Sequence, residues 1–487
     1  MAYLGQNNNS NSTASVKGLV YSFLVIGLAT MIYGLLVQNW LFFGVAVLFP
    51  TGAIIIYFAL QKPIWSYTLY AIITCYFSAI YRYAGIENLS VILDIFLGVS
   101  FLSLALNIIN KKDSYPWSNA ANTLTITYAI WLTYCFLILF SPDVEFHNLI
   151  SNRSVYLSLP LTYLLTAIFM CTPKRLRITL FLLGIFIATA ALKAYWQKRR
   201  GFDTVESAWL FSGAWHTHIL RSGIRYFSFY TDAGNFGASM AMFTTTFSIL
   251  SFVVKKRASR IFCIGAAVLA AVGMMMSGTR GAMIIPFGGI VLYILLSKSL
   301  KAIATWSFIG VLTFCFFYYT DIGEGNVFVR RMRTAFRPSK DASFNVRVEN
   351  QKRFAYYLQD KPFGVGIGGK IVDTKGIMRV DEEFIPTDSY YVGIWVEGGI
   401  VGLCLYITLQ AILLLRCCYL LMFRIKNEQL RKILIALLCG VFGIWLNGYV
   451  GRGLGFQPSS LIIAIFISFI LNGVYMDKRL KKDEIIA

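Results

Sequence analysis

Charge is scarce in this chain. Of its 487 residues only 14% are Asp, Glu, Lys or Arg, whereas 57% are hydrophobic and the mean hydropathy is +0.64. That balance excludes a soluble domain of this size. Acidic residues are the scarcer sign, 23 against 44 basic, which leaves a net charge of +21. The basic residues gather in short segments between apolar runs and in two longer loops. This pattern reflects membrane topology and contact with membrane lipids, and no nucleic-acid partner is expected. Histidine is rarer still, with only His147, His216 and His218. Trp215-His216-Thr217-His218 could set two imidazoles on one face of an extended segment, but no further ligands accompany them, so no metal is expected. The nine cysteines fall within or at the ends of apolar runs and form no CxxC pair. Disulfides and thiolate sites are not expected, and the cysteines read as small packing hydrophobes. Nucleophile elbows, P-loops and dinucleotide fingerprints are missing too, so no cofactor is expected.

What is abundant is apolar sequence of bilayer-spanning length. A window of about 20 residues predicts an all-α polytopic membrane protein with 12–14 transmembrane helices. The spans are 18–36, 41–60, 65–82, 90–109, 122–141, 155–172, 177–194, 228–253, 260–276, 282–297, 302–320, 389–415, 432–450 and 458–475. The segment from Leu19 follows a polar tail without a cleavage site and reads as the first of them. With the N-terminus inside, the inner loops collect clusters such as Lys174, Arg175 and Arg177, or Lys255, Lys256, Arg257 and Arg260. Each short outer loop carries at most one basic residue. The expected organisation is a disordered cytoplasmic tail at 1–17 and eleven membrane helices over 18–320, with an external loop at 195–227. A long basic periplasmic loop at 321–388, C-terminal helices over 389–475 and a basic cytoplasmic tail at 476–487 complete it. Long loops are exempt from the topology rule, but a basic external face asks for an anionic ligand.

Four segments carry candidate chemistry. Ser277-Gly278-Thr279-Arg280-Gly281 joins two apolar runs with almost no loop, setting a guanidinium at a hairpin tip. Ionisable residues at the edge of a bilayer are functional candidates, and a guanidinium fork suits phosphate oxygens; snorkelling is the plain alternative. Gly223 through Gly237 carries Arg225 among aromatics and Asn235 at a helix start, which also reads as an interfacial aromatic belt with a capping Asn. Arg347 opens a short amphipathic helix to Leu358, followed by Pro362-Phe363-Gly364-Val365-Gly366-Ile367-Gly368-Gly369, where glycines permit close backbone approach. Asp388 stands where the long loop re-enters the membrane, as a general base or a helix cap, and Glu397 lies about two and a half turns deeper.

Taken in order, Arg225…Asn235, SGTRGA, Arg347 before Pro362-x-Gly364-x-Gly366-x-Gly368, and Asp388…Glu397-x-Gly399-x-x-Gly402 resemble the O-antigen ligase and O-antigen polymerase superfamily of bacterial inner-membrane glycosyltransferases. The resemblance covers Gly223 to Gly402 and implies a GT-C-like, inverting, metal-independent enzyme with its active site facing the periplasm. It implies a donor glycan on undecaprenyl diphosphate, held by Arg225, Arg280 and Arg347, with Arg280 and Asp388 catalytic. Asn235, Gly366, Gly368 and Glu397 would support the site. The acceptor would be a glycan or the lipid A core, and a chain-length regulator is an implied partner. Ligases of the superfamily carry a His-Asn pair where this chain has Asp388-Ser389, so polymerisation of repeat units is the leading expectation. A ligase or a protein oligosaccharyltransferase is the alternative within the class. A lipid-linked glycan flippase is the rival outside it, and that reading predicts charge lining a cavity at mid-bilayer, whereas here the ionisable residues cluster at the outer surface.

Overall fold

The computed structural model describes residues 25, 62–85, 90–109, 115–140, 144, 152–220, 223–336, 342–367, 377–380, 383–387 and 389–480. The expected tail at 1–17, the first two spans apart from Val25, Gly368, Asp388 and the last seven residues lie outside these. Lipid offers the backbone no partner, so apolar runs close their hydrogen bonds internally as helices. The chain is an all-α polytopic membrane protein. Its helices are α1 (Pro63–Ala84), α2 (Val91–Ile109), α3 (Thr123–Leu137), α4 (Leu159–Phe169), α5 (Pro173–Arg200), α6 (Thr204–Trp209), α7 (Ala233–Val253) and α8 (Arg257–Met276). After these come α9 (Ile284–Leu296), α10 (Leu300–Tyr319), α11 (Val327–Arg333), α12 (Ala342–Tyr357), α13 (Tyr390–Tyr419), α14 (Glu428–Asn447), α15 (Ser459–Leu471) and α16 (Gly473–Arg479).

Among the described residues nine helices are long and apolar enough to cross a membrane, or ten if the bent pair α15–α16 is one span. Each of the twelve expected spans that fall on described residues carries a helix. Four differ from a plain rod, one of them the 389–415 span, which breaks at Gly399. The span at 155–172 opens on a wide turn at Ser154–Ser158 and stops at Phe169, because Thr172 caps and Pro173 starts α5. The span at 282–297 begins with a tight turn at Arg280–Met283. The last span bends by 52° at Asn472, whose amide donates to the Ala167 and Met170 carbonyls at 2.8 Å each.

The described residues fall into two compact units. In the first, residues 62–72 and 91–109, the Ser66 and Ser100 hydroxyls bond at 2.9 Å. The second holds residues 73–85, 90 and everything described from Tyr115 onward. Its core is α7 and α14, both mostly buried, with α8, α9 and α15 around them. Small residues let these helices approach closely, as is usual where lipid supplies no hydrophobic drive. A Cβ on Gly289 would meet Thr245 Cγ2 at 2.4 Å, and one on Gly443 would meet the Ile285 carbonyl at 2.4 Å.

The two basic loops are largely structured. In the first, α5 runs on to Arg200, then α6 leads to a two-residue hairpin, β1 (Ile219–Leu220) with β2 (Gly223–Ile224). The long loop carries α11, α12 and a second hairpin, β3 (Ile377–Val380) with β4 (Glu383–Pro386), in register from Ile377↔Pro386 to Val380↔Glu383.

Candidate active site

Six helix ends meet at one end of the second unit: the starts of α7, α9, α13 and α15 and the finishes of α8 and α14. The SGTRG hairpin lies among them. Gly278 turns it with φ +59°, a conformation that L side chains rarely adopt. Two arginines hold this turn from outside. Arg225 donates from Nε to the Ser277 carbonyl at 3.2 Å, from one terminal nitrogen to Thr279 Oγ1 at 3.0 Å and from the other to the Thr217 carbonyl at 2.9 Å. Arg331 on α11, only 8% exposed, donates from Nε to the Gly278 carbonyl at 2.6 Å. A Cβ on Gly278 would sit 3.2 Å from both arginine side chains. Arg225 therefore spends two of its five donors on the hairpin and one on Thr217, and two remain for a ligand.

Arg280 is half-buried beside this turn, with one terminal nitrogen 3.4 Å from Thr334 Oγ1. Arg347, half-buried on α12, belongs to the same field. Burial lowers the Arg225 pKa to about 10; Asp232 opposes that shift, while Arg280 and Arg347 add to it. Two sequence-predicted arginines from two other segments thus lie within electrostatic reach of Arg225. A half-enclosed field of that sign attracts an anion.

Asn235 lies behind the cluster, 1% exposed and fully engaged. Its amide donates to Thr231 Oγ1 and to the Gln457 carbonyl, at 3.1 and 2.9 Å, and its oxygen accepts from Ser459 Oγ at 2.9 Å. The cap of α7 is Asp232, whose carboxylate accepts from Gly234 N and Asn235 N, so the helix starts five residues later than the apolar run suggests. Phe227 and Tyr230 are fully buried, which replaces the aromatic-belt reading with a packed core under the loop.

The glycine-rich run and the Glu397 motif form one joint. At Gly399 (φ +66°) α13 breaks, freeing the Val396 and Glu397 carbonyls. Val365 N and Gly366 N donate to them at 3.0 and 2.9 Å, and Val401 N donates back to the Pro362 carbonyl at 3.2 Å. A Cβ on Gly399 would lie 2.0 Å from that carbonyl oxygen. The Glu397 side chain is half-buried within electrostatic reach of Arg452 and Tyr390.

Asp388 and Gly368 fall outside the described residues. Ser389 caps α13, accepting from Val392 N at 3.4 Å. Ser389 Oγ donates to the Gly448 carbonyl at 3.0 Å, and Asn447 Nδ2 donates to the Gly281 carbonyl at 2.8 Å. Two adjacent residues at the end of α14 therefore tie the Arg280 hairpin to the start of α13. Arg331 and Asn447 were not singled out from the sequence. Arg331 is one of many basic residues in a long loop, and Asn447 is a lone polar residue at a helix end.

His216 and His218 sit on a helical turn, Trp215–His218, instead of an extended segment, so they do not share a face. His218 is 2% exposed, and its Nε2 accepts from Ala233 N at 3.1 Å. Its proton is therefore on Nδ1, which donates to the Ala214 carbonyl at 2.9 Å. Burial drives its pKa down to about 4, with Arg225 and Arg82 adding to the shift against Ala214 and Asp232. Among the described residues no three His, Cys, Asp or Glu side chains converge as metal ligands would.

Residues 265–407 match the family model described as O-Antigen ligase. The match runs from α8 into α13 and takes in Arg280, Arg331, Arg347, Gly366 and Glu397, with Arg225 and Asn235 ahead of it. No curated protein matches the chain.

Proposed function

We propose, from the match of residues 265–407 to the O-Antigen ligase family model, that the chain transfers a glycan from undecaprenyl diphosphate to a sugar hydroxyl at the periplasmic face of the inner membrane. The observation that carries this reading is the cluster of Arg225, Arg280 and Arg347. The donor's diphosphate lies among these guanidiniums. The acceptor oxygen attacks the anomeric carbon from the opposite face, its proton goes to the Asp388 carboxylate, and the bond from that carbon to the diphosphate oxygen breaks with inversion. Charge on the departing lipid diphosphate grows through the transition state, and fixed guanidiniums stabilise it most there. Arg225 and Arg331 hold the hairpin backbone, so Arg280 meets that charge without reorganising. The arginines supply the charge stabilisation, and no metal enters the mechanism.

The leading form of the reaction is polymerisation, in which the acceptor is another lipid-linked repeat. It rests on Asp388-Ser389 standing in place of the His-Asn pair of ligases. The family description, O-Antigen ligase, favours transfer to the lipid A core as the second reading. The test is transfer by the purified protein from undecaprenyl-diphosphate-linked repeat units in the presence of chelator. Wild type should be active, and Arg280→Lys should lose at least about tenfold, since lysine keeps the charge but not the bidentate fork. Near-normal transfer by Arg280→Lys, or a strict need for a divalent cation, would sink the mechanism.

A further inference from the structure

At the other end of the second unit, a full helix length from the arginine cluster, a cavity of about 340 Å³ opens between the start of α5, the finish of α7 and the start of α8. Its volume is within the range of small-ligand sites. The walls are apolar, formed by Leu176, Leu180, Phe181, Leu250, Val254 and Phe262. Phe262 packs flat on α5, stacked on Phe181 at 5.7 Å, because Gly184 has no Cβ to meet it. Two exposed cations, Arg177 and Lys256, line the mouth, and no Asp or Glu lines the cavity. Neither cation has a hydrogen-bond or ion-pair partner among the described residues. Both α5 and α8 are membrane-spanning candidates.

An apolar slot is a poor home for water, and a slot with a purely cationic mouth complements a chain carrying an anionic head. Basic pockets between membrane helices bind phosphate headgroups on this principle. We infer that this cavity is a binding site for an anionic diacyl phospholipid, with its phosphate between Arg177 and Lys256 and one acyl chain against Leu180, Val254 and Phe262. The site is independent of the transferase centre.

The experiment is native mass spectrometry of the purified full chain, loaded with mixed dioleoyl phosphatidylglycerol and dioleoyl phosphatidylcholine. Phosphatidylglycerol should be retained with roughly tenfold or greater preference, since each juxtamembrane cation contributes appreciably to binding. Arg177→Gln with Lys256→Gln should abolish the preference. Ala258→Phe, at an exposed position on the cavity wall, should cut retention by a similar factor with both cations still in place, which keeps the test open should the double variant not fold. Four results would overturn the site: equal retention of the two lipids, an unchanged preference in both variants, stronger retention of a polyprenyl phosphate, or displacement of the lipid by glycerol phosphate alone. A dimer that covers the cavity in the lipid-free protein would assign the face to a second copy instead.

Discussion

The arginines around the hairpin do not all share one duty. Arg225 is held by Ser277, Thr279 and Thr217, and Arg331 by Gly278, so both shape the hairpin that presents Arg280. The arginines were legible as residue types suited to an anion, but this division was not, because it depends on backbone carbonyls that no side-chain pattern encodes. His218 shows the same limit. As a letter it suggests metal or proton transfer, whereas in the fold its lone pair is occupied by the Ala233 N–H at the start of α7. That bond has a consequence for pH. The folded-state pKa lies near 4 against the ordinary 6.5, so the unfolded chain binds the extra proton first as pH falls. His218 therefore contributes full stability above about pH 6.5 and loses it progressively as pH falls toward 4, by up to about 3 kcal/mol. Thermal unfolding midpoints should drop over that window. In His218→Gln, which has no proton to gain, this component of the slope should vanish; an unchanged slope would mean that another group controls it.

At the scale of elements, the joint between the Pro362–Gly366 loop and the broken helix α13 binds the long loop to the membrane bundle. The sequence showed two glycine motifs separated by about 30 residues, and each alone reads as a plain turn. Their meaning lies in their pairing: Gly364 and Gly399 are in contact, and the carbonyls released by the break are bonded by the other motif. Such a joint is invisible to periodicity, which reads α13 as one continuous span. Helix existence was legible on the membrane spans, since the apolar windows match helices on every described span, but not for α6 and α11 in the loops. The breaks at Gly399 and Asn472 were not, because both are tertiary choices. Gly399→Ala should be among the costliest single substitutions. It forces a Cβ into the Pro362 carbonyl and holds alanine at positive φ, which alone costs about 1–2 kcal/mol. A loss of more than about 2 kcal/mol is expected, read as a lower unfolding midpoint and faster proteolysis between α12 and α13. Alanine tolerated at both Gly399 and Gly364 would show that the loop does not dock.

At the scale of the whole molecule, charge distribution sets the sidedness on which the mechanism depends. Lys174, Arg175, Arg177, Lys255, Lys256 and Arg257 gather at the end of the bundle opposite the arginine cluster, and the positive-inside rule predicts that this end faces the cytoplasm. Reporters fused within 321–388 and after Lys482 should therefore read as periplasmic and cytoplasmic, and opposite readings at both would invert the model. On that proposed sidedness, the choice between polymerase and ligase becomes a question of which intermediate accumulates. A polymerase joins one lipid-linked repeat to another, so its loss leaves surface glycan limited to single repeats. A ligase moves finished chains to a new acceptor, so its loss strands long chains on the carrier lipid. The deletion strain should show single repeats. Asp388→Asn should reproduce that phenotype, because the amide keeps the size of the carboxylate but not its basicity, and the cap of α13 is supplied by Ser389. Ser389→Ala is the structural control: loss of the cap costs about 1 kcal/mol and should lower abundance without shortening the glycan. Long chains on the carrier in the deletion strain would establish the ligase reading, and full-length glycan in Asp388→Asn would remove the carboxylate from the chemistry.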